Sequence, residues 1–147
     1  MTENKQVGIE NKNVVANFEF DEAYRDINAN GELFRIDLSD EKRADMAFDF
    51  KDAYEKLKDA PRPSVENMTR EEFKKAQDYV RDTTKVAIDS HFGENSFDRL
   101  YKIAGRSYNN CIQFLGVCLE QIADYDEKIN KRMQRNKASQ YLKNKKK

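Results

Sequence analysis

The sequence predicts an α+β fold that is mostly α: a small N-terminal antiparallel β-hairpin, then about four helices, the last long and running into a basic tail. Three observations predict it. Charged residues make up 37% of the chain, against two Pro and five Gly, a composition that favours long solvated helices over a loop-rich or all-β fold. Apolar residues alternate with a period of two before Ser39 and recur at spacings of three and four after it. Between the alternating runs, Asn30-Gly31 supplies the positive φ angles of a tight turn.

At 147 residues, with 38% hydrophobic residues and 16 Phe and Tyr (9 + 7), the chain suffices for one modest core and not for two. The expected organisation is a flexible arm over residues 1–13, one mainly helical domain over 14–127, and a basic helical extension over 128–147. The polar, unpatterned MTENKQVGIENK is expected to form the arm, with an added edge strand as the alternative. VVANFEF then alternates, with Val14, Ala16, Phe18 and Phe20 on one face, and predicts a half-buried strand. Beyond the Asn30-Gly31 turn Phe34, Ile36 and Leu38 alternate, so an antiparallel unit is expected over roughly 14–38.

Ser39 is placed to cap the first helix, with Asp40 and Glu41 at the positive end of its dipole. This helix is expected to run to Ala60, burying Met46, Ala47, Phe50, Ala53, Tyr54 and Leu57. Phe48 falls off that stripe. It is a candidate partner contact, although a stray aromatic on a short helix more commonly wraps back onto the core. Pro61 and Pro63 end the helix. MTREEF then combines a capping box, Thr69 with Glu72, and a hydrophobic staple, Met68 with Phe73. Phe73, Ala76, Val80, Thr83 and Ala87 continue that helix to Gly93. A short helix from Ser96 carries Phe97, Leu100, Tyr101 and Ala104 and closes at Gly105. From Ser107 the last helix keeps Tyr108, Cys111, Ile112, Leu115, Cys118, Leu119, Ile122, Tyr125, Ile129 and Met133 at helical spacing. Leu115, Leu119 and Ile122 suit a core; Ile129 and Met133, flanked by charges, suit an interface.

Little in the sequence suggests catalysis. His91 is the one histidine, and with Cys111 and Cys118 it makes no metal-ligand spacing. Gly93, Gly105 and Gly116 are isolated, and none lies between a strand and a helix as a phosphate loop requires. The carboxylates of DYDEK and SDEK are expected to be solvated helix faces and first-turn acids. The reading is of a protein without enzymatic activity and without cofactors or metals. Two cysteines fit a reducing compartment; seven residues apart on one helix, about 10 Å, they cannot bridge. No run of 18 apolar residues and no signal pattern occurs, so no membrane partner is expected.

Charge is unevenly distributed. The totals are 27 basic and 27 acidic residues, yet residues 128–147 hold nine Lys or Arg and no acid. The rest therefore carries 27 − 9 = 18 basic residues against 27 acidic ones, a net of about −9 facing a tail of about +9. Such asymmetry points to nucleic acid, an acidic partner or another copy of the acidic body. Nucleic acid is the weaker of these. The tail offers one aromatic, Tyr141, for stacking, and the acidic body, with Asp124, Asp126 and Glu127 beside the tail, would repel phosphates.

Three stretches, DINANGELFRIDLSDEK, AIDSHFGENSFDRLYKIAGRS and NNCIQFLGVCLEQIADYDEKINKRMQRNKASQYLKNKKK, together resemble tail assembly chaperones of long-tailed, siphovirus-type bacteriophages, especially those of Gram-positive hosts. In that family a small hairpin ending in an I-D-L/F-S/G-D element leads into a helix. An I-D-x-x-F-G element and a short helix then precede a long C-terminal helix. The matching residues are Ile36 to Asp40 and Ile88 to Gly93, with Phe97 to Ala104 as the short helix, and the resemblance covers most of residues 24–147.

The resemblance implies a non-enzymatic viral protein of the host cytoplasm, absent from the mature virion. It would bind along the tape measure protein, keep it soluble and help recruit tail tube subunits. In many relatives a ribosomal frameshift near the end of the frame makes a longer form that recruits the tube protein, and Lys145, Lys146 and Lys147 are compatible with an adenine-rich slippery run. Self-association is expected as well, the basic tail of one copy lying on the acidic body of the next or on acidic stretches of the tape measure protein, with association weakened at about 1 M salt where the Debye length is near 3 Å. The candidate partner-binding residues are Phe48, Ile129, Arg132, Met133, Arg135, Tyr141, Lys143, Lys145, Lys146 and Lys147. The competing readings are a nucleic-acid-binding accessory protein using the tail, and a structural head or tail component that stays in the virion.

Overall fold

The computed structural model describes residues 12–145. Its elements are strands β1 (Tyr24–Ala29) and β2 (Glu32–Asp37), then helices α1 (Asp40–Asp59), α2 (Arg70–Phe92), α3 (Ser96–Ile103) and α4 (Tyr108–Lys145). The chain is mostly helical with one small antiparallel hairpin, the predicted fold class.

The hairpin closes at Asn30 and Gly31, whose φ angles are 50° and 92°, as the primed turn requires. Asn28 Oδ1 accepts the Gly31 N–H at 2.7 Å and stiffens the turn. The register sets Ile27 opposite Phe34 and Arg25 opposite Ile36. Phe34, Ile36 and Leu38 are buried, so the predicted alternation of β2 gives the sheet its inner face.

One strand was placed wrongly. Residues 14–20 belong to no strand and are all exposed; the partner of β2 is YRDINA, residues 24–29. A two-residue turn joins neighbours in sequence, so the segment immediately before Asn30 takes the pairing. The alternation of VVANFEF marks a strand-like face without specifying what covers it. In YRDINA the inward positions are Arg25, Ile27 and Ala29, and the arginine breaks the apolar pattern.

Asp40 and Glu41 open α1 as expected, but the Ser39 side chain makes no capping bond; instead Asp37 Oδ1 accepts the Ser39 N–H at 2.9 Å. Met46, Phe50, Ala53 and Leu57 are buried, with Ala47 and Tyr54 packed beside them. The capping box at the start of α2 is complete in both directions. Its buried line runs through Thr84, Ala87 and Ile88, one residue on from the predicted Thr83, and Thr84 Oγ1 donates to the Val80 carbonyl at 2.7 Å.

Gly93, at φ 104°, stops α2. Asp89 then ties α2 to α3: one carboxylate oxygen accepts the Phe97 N–H at 2.8 Å and the other pairs with Lys85 at 3.0 Å. The centre of the core is aromatic. Phe34 packs edge-on against Phe92 and Phe114, with centroids 5.6 and 5.1 Å away, and Phe50 lies 6.2 Å from Phe92. Phe114 was absent from the predicted stripe, yet it is buried. Cys111, Leu115, Cys118 and Ile122 complete the α4 contribution.

Candidate partner-binding surface

The inner half of α4 is core, and the switch to surface takes place over Gln121–Lys131. There Arg25 of β1 reaches Gln121 Oε1 and Asp124 Oδ2, both at 2.8 Å. Arg43 of α1 pairs with Asp126 at 3.0 Å. Between them lies Tyr125, with the two guanidinium carbons 5.8 and 5.3 Å from its ring centre. The Arg25 guanidinium, and after it Lys128, holds the Asp124 carboxyl below its ordinary range.

DYDEK is therefore not a merely solvated face. Asp124 and Asp126 fasten the hairpin and α1 to α4, so these acids face partners within the chain. Nothing in sequence spacing signals this, because Arg25 and Asp124 are separated by 99 positions.

The first cations of the basic extension are engaged in the same way. Lys128 pairs with Asp124 at 3.2 Å, Lys131 with Glu127 at 3.1 Å, and Arg132 with Asp21. Asp21, Glu22, Arg25, Lys128 and Ile129 line a groove of about 250 Å³ that leaves Ile129 half-buried. Residues 131–137 are all exposed, including Met133 at 62% and Arg135. Tyr141, Lys143 and Lys145 continue α4 in backbone terms, their side chains lying outside the described set, and Lys146 and Lys147 lie outside the described residues. Residues 1–11 of the predicted N-terminal arm lie outside them too, while Lys12 and Asn13 form an exposed turn.

Phe48 does not wrap back onto the core: its side chain is 67% exposed on α1. The surface thus brings Ile129 and Arg132 together at the Asp21 groove and leaves Met133 and Arg135 beyond it in solvent, with Phe48 on a separate helix. No protein-family model, curated protein or solved structure matches the chain.

Sequence reasoning missed a second concave surface. A groove of about 630 Å³ runs between the end of α1, the Pro61–Pro63 connector, α2 and the start of α4. Its apolar lining includes Tyr54, Leu57, Val80, Tyr101, Tyr108 and Ile112, and its cations are Lys58, Arg62 and Arg106. Tyr101 and Tyr108 stack at 4.8 Å, with the buried Phe97 ring 5.8 and 6.4 Å from them. The signal in the sequence was Tyr54 and Tyr108, both assigned to the core when each is half-exposed.

His91 sits in the last turn of α2, its Nε2 2.7 Å from Asp49 Oδ2 and its ring edge-on to Phe50 at 5.4 Å. That contact joins α2 to α1. Both cysteines are free and fully buried, and burial pushes their thiols up to about 11 for Cys111 and about 12 for Cys118. Among the described residues no cluster of three His, Cys, Asp or Glu is placed to hold a metal ion, and no helix is long and apolar enough to cross a membrane.

Proposed function

We propose that this chain is a non-enzymatic tail assembly chaperone of a long-tailed bacteriophage, acting in the host cytoplasm and absent from the finished virion. It binds the tape measure protein along helical segments, keeps that protein soluble, and helps recruit tail tube subunits, the last through a frameshifted longer form. The observation that carries the reading is the outer half of α4. From Lys131 it is a helix exposed over residues 131–137, without a single carboxylate, carrying Met133 among its cations.

A surface of that kind suits a long helical client. Met133 offers a flexible apolar contact, the cations steer an acidic segment into place, and the contact stays reversible because each element is exposed and screened by salt. Phe48 adds an exposed aromatic anchor on α1. Two elements of the family resemblance have clear folding roles. Ile36 and Leu38 are core and Asp37 holds Ser39; Ile88 and Phe92 are core, Asp89 caps α3 and Gly93 ends α2. The residues that carry the resemblance are therefore residues that build this fold.

The test is co-purification with the tape measure protein encoded nearby, comparing the full chain with one ending at Glu127. The full chain is expected to keep the client soluble, and truncation or about 1 M salt to weaken the complex. No complex, with nucleic acid retained through the tail instead, would favour the accessory-protein reading; recovery of the chain in purified virions would favour a structural component.

A further inference from the structure

We propose that residues 14–20 of one copy dock in the Tyr108 groove of a second copy, joining molecules head to tail. The segment is strand-like in sequence and uncovered in the fold: Val15 is 99% exposed, Phe18 69% and Phe20 89%. Phe18 and Phe20 contact each other edge-on at 4.8 Å, which makes one apolar block of the two rings. A contiguous exposed patch of that sort marks an interaction site.

The groove offers the complementary chemistry. Tyr54, Pro61, Val80, Tyr101 and Ile112 give it an apolar floor, and its charged lining is Lys58, Arg62 and Arg106, with no carboxylate among the lining residues. The segment is apolar with charge of the opposite sign in Glu19, while Asp21, just after it, stays on Arg132 of its own copy. Groove cations against Glu19 give the contact its orientation and its rejection of basic segments.

Geometry makes the occupant a second copy. Asp21 pairs with Arg132, whereas the groove is bounded on α4 by Tyr108 and Ile112. Arg132 and Ile112 are 132 − 112 = 20 residues apart on one helix, about 30 Å at 1.5 Å per residue. Phe18 is three residues from Asp21, a reach of about 10 Å even fully extended. The rings cannot enter their own groove. Donor and acceptor surfaces lie at opposite ends of the molecule, so the contact is heterologous and repeats from copy to copy. Both halves belong to this chain, so the inference stands or falls separately from binding to the tape measure protein.

Sedimentation velocity of the full chain alone tests it, over a concentration series up to the millimolar range. Wild type is expected to show concentration-dependent assemblies. Phe18→Ser/Phe20→Ser should weaken association by on the order of ten- to a hundredfold for each ring removed. Arg62→Glu/Arg106→Glu should weaken it also, and all four positions are exposed, so circular dichroism should match wild type. Mixed in equal amounts, the two variants should form a 1:1 heterodimer and nothing larger, since one keeps an intact groove and the other an intact segment. A peptide spanning residues 12–22, added in excess, should dissociate the wild-type assemblies. Any of four results overturns the proposal: a wild type that stays monomeric, a segment variant that assembles like wild type, a mixture that forms no heterodimer, or a peptide without effect.

Discussion

Ending the chain at Glu127 should leave the fold intact, and the expected loss can be worked from the structure. Among the residues of α4 whose burial is described, the last buried one is Ile122, and Tyr125 is held from both sides by Arg25 and Arg43, all of which the shortened chain retains. Over residues 128–137, Ile129 alone is even half-buried. Full burial of an isoleucine side chain contributes about 1.5–3 kcal/mol, so half-burial amounts to about 1 kcal/mol. The pairs lost with it, Lys128 to Asp124, Lys131 to Glu127 and Arg132 to Asp21, are between exposed side chains and add little. A loss of about 1–2 kcal/mol follows, or a melting temperature lower by about 3–8 °C for a domain of this size. Urea titration followed by circular dichroism measures it, with one cooperative transition and a nearly unchanged slope. A loss of about 4 kcal/mol or more, or a broad transition, would refute the placement of the domain end at Glu127.

Core truncation should be far more costly: Leu115→Ala, at a fully buried site, is expected to remove about 2–5 kcal/mol, and a loss under about 1 kcal/mol in the same titration would contradict the packing of α4. Thr69→Ala removes half of the capping box and should cost about 1 kcal/mol, with Thr69→Ser recovering most of it; equal losses for both would show that the hydroxyl is not the cause. Cys111 and Cys118 should resist a thiol reagent at pH 8 until urea unfolds the chain, because burial raises both thiols; rapid labelling of native protein would be inconsistent with their placement. Acid should destabilise the fold. Asp26 is held low by Arg35, Asp37 by Ser39, Glu72 by the Thr69 N–H and Asp124 by Arg25. A depressed folded value gives stability that is complete above the unfolded value and lost as pH falls through the folded one, so these four groups predict a decline below about pH 4. Flat stability from pH 5 down to 2 would count against all four contacts.

The helices were legible because their signals are local. Thr69 with Glu72, the Pro61–Pro63 break and Gly93 each act within a few residues, and both ends of α1 and α2 fell within a residue of their predicted places. The turn at Asn30-Gly31 was legible for the same reason. The misplaced strand and the misread DYDEK share the opposite cause. What pairs with β2 and what satisfies Asp124 depend on which residues meet across the fold, and a single sequence gives periodicity without partners. Arg25 hid both facts at once: its charge masked the inward face of β1, and its bond to Asp124 consumed an acid that seemed free for a partner. Among the candidate site residues, Phe48 falls off the stripe as read, yet it is exposed where the commoner expectation was that it wraps back onto the core. The large groove was not legible, since it forms where α1, α2 and α4 meet and no one helix shows it.

The charge asymmetry that dominates the sequence looks different once its internal use is subtracted. Lys128, Lys131 and Arg132 hold acids of their own chain, and Asp124 and Asp126 hold Arg25 and Arg43. At the boundary between acidic body and basic tail, Arg25, Arg43 and Asp21 thus tie α4 to the rest of the chain, while Lys128 and Lys131 pair within the helix. The cations past Arg132 lie beyond those ties, starting with Arg135 and Lys137, both exposed. Lys145 lies 16 residues past Ile129, about 24 Å along the helix, so this cationic stretch is carried well clear of the body and away from its net negative charge. On the proposed reading that separation would let one small domain offer two contacts that do not compete: a cationic helix for an acidic client, and at the far end of α4 a cationic, aromatic groove for a short apolar segment. Coating a long polypeptide in repeated copies would need both at once, one grip on the client and one on its neighbour.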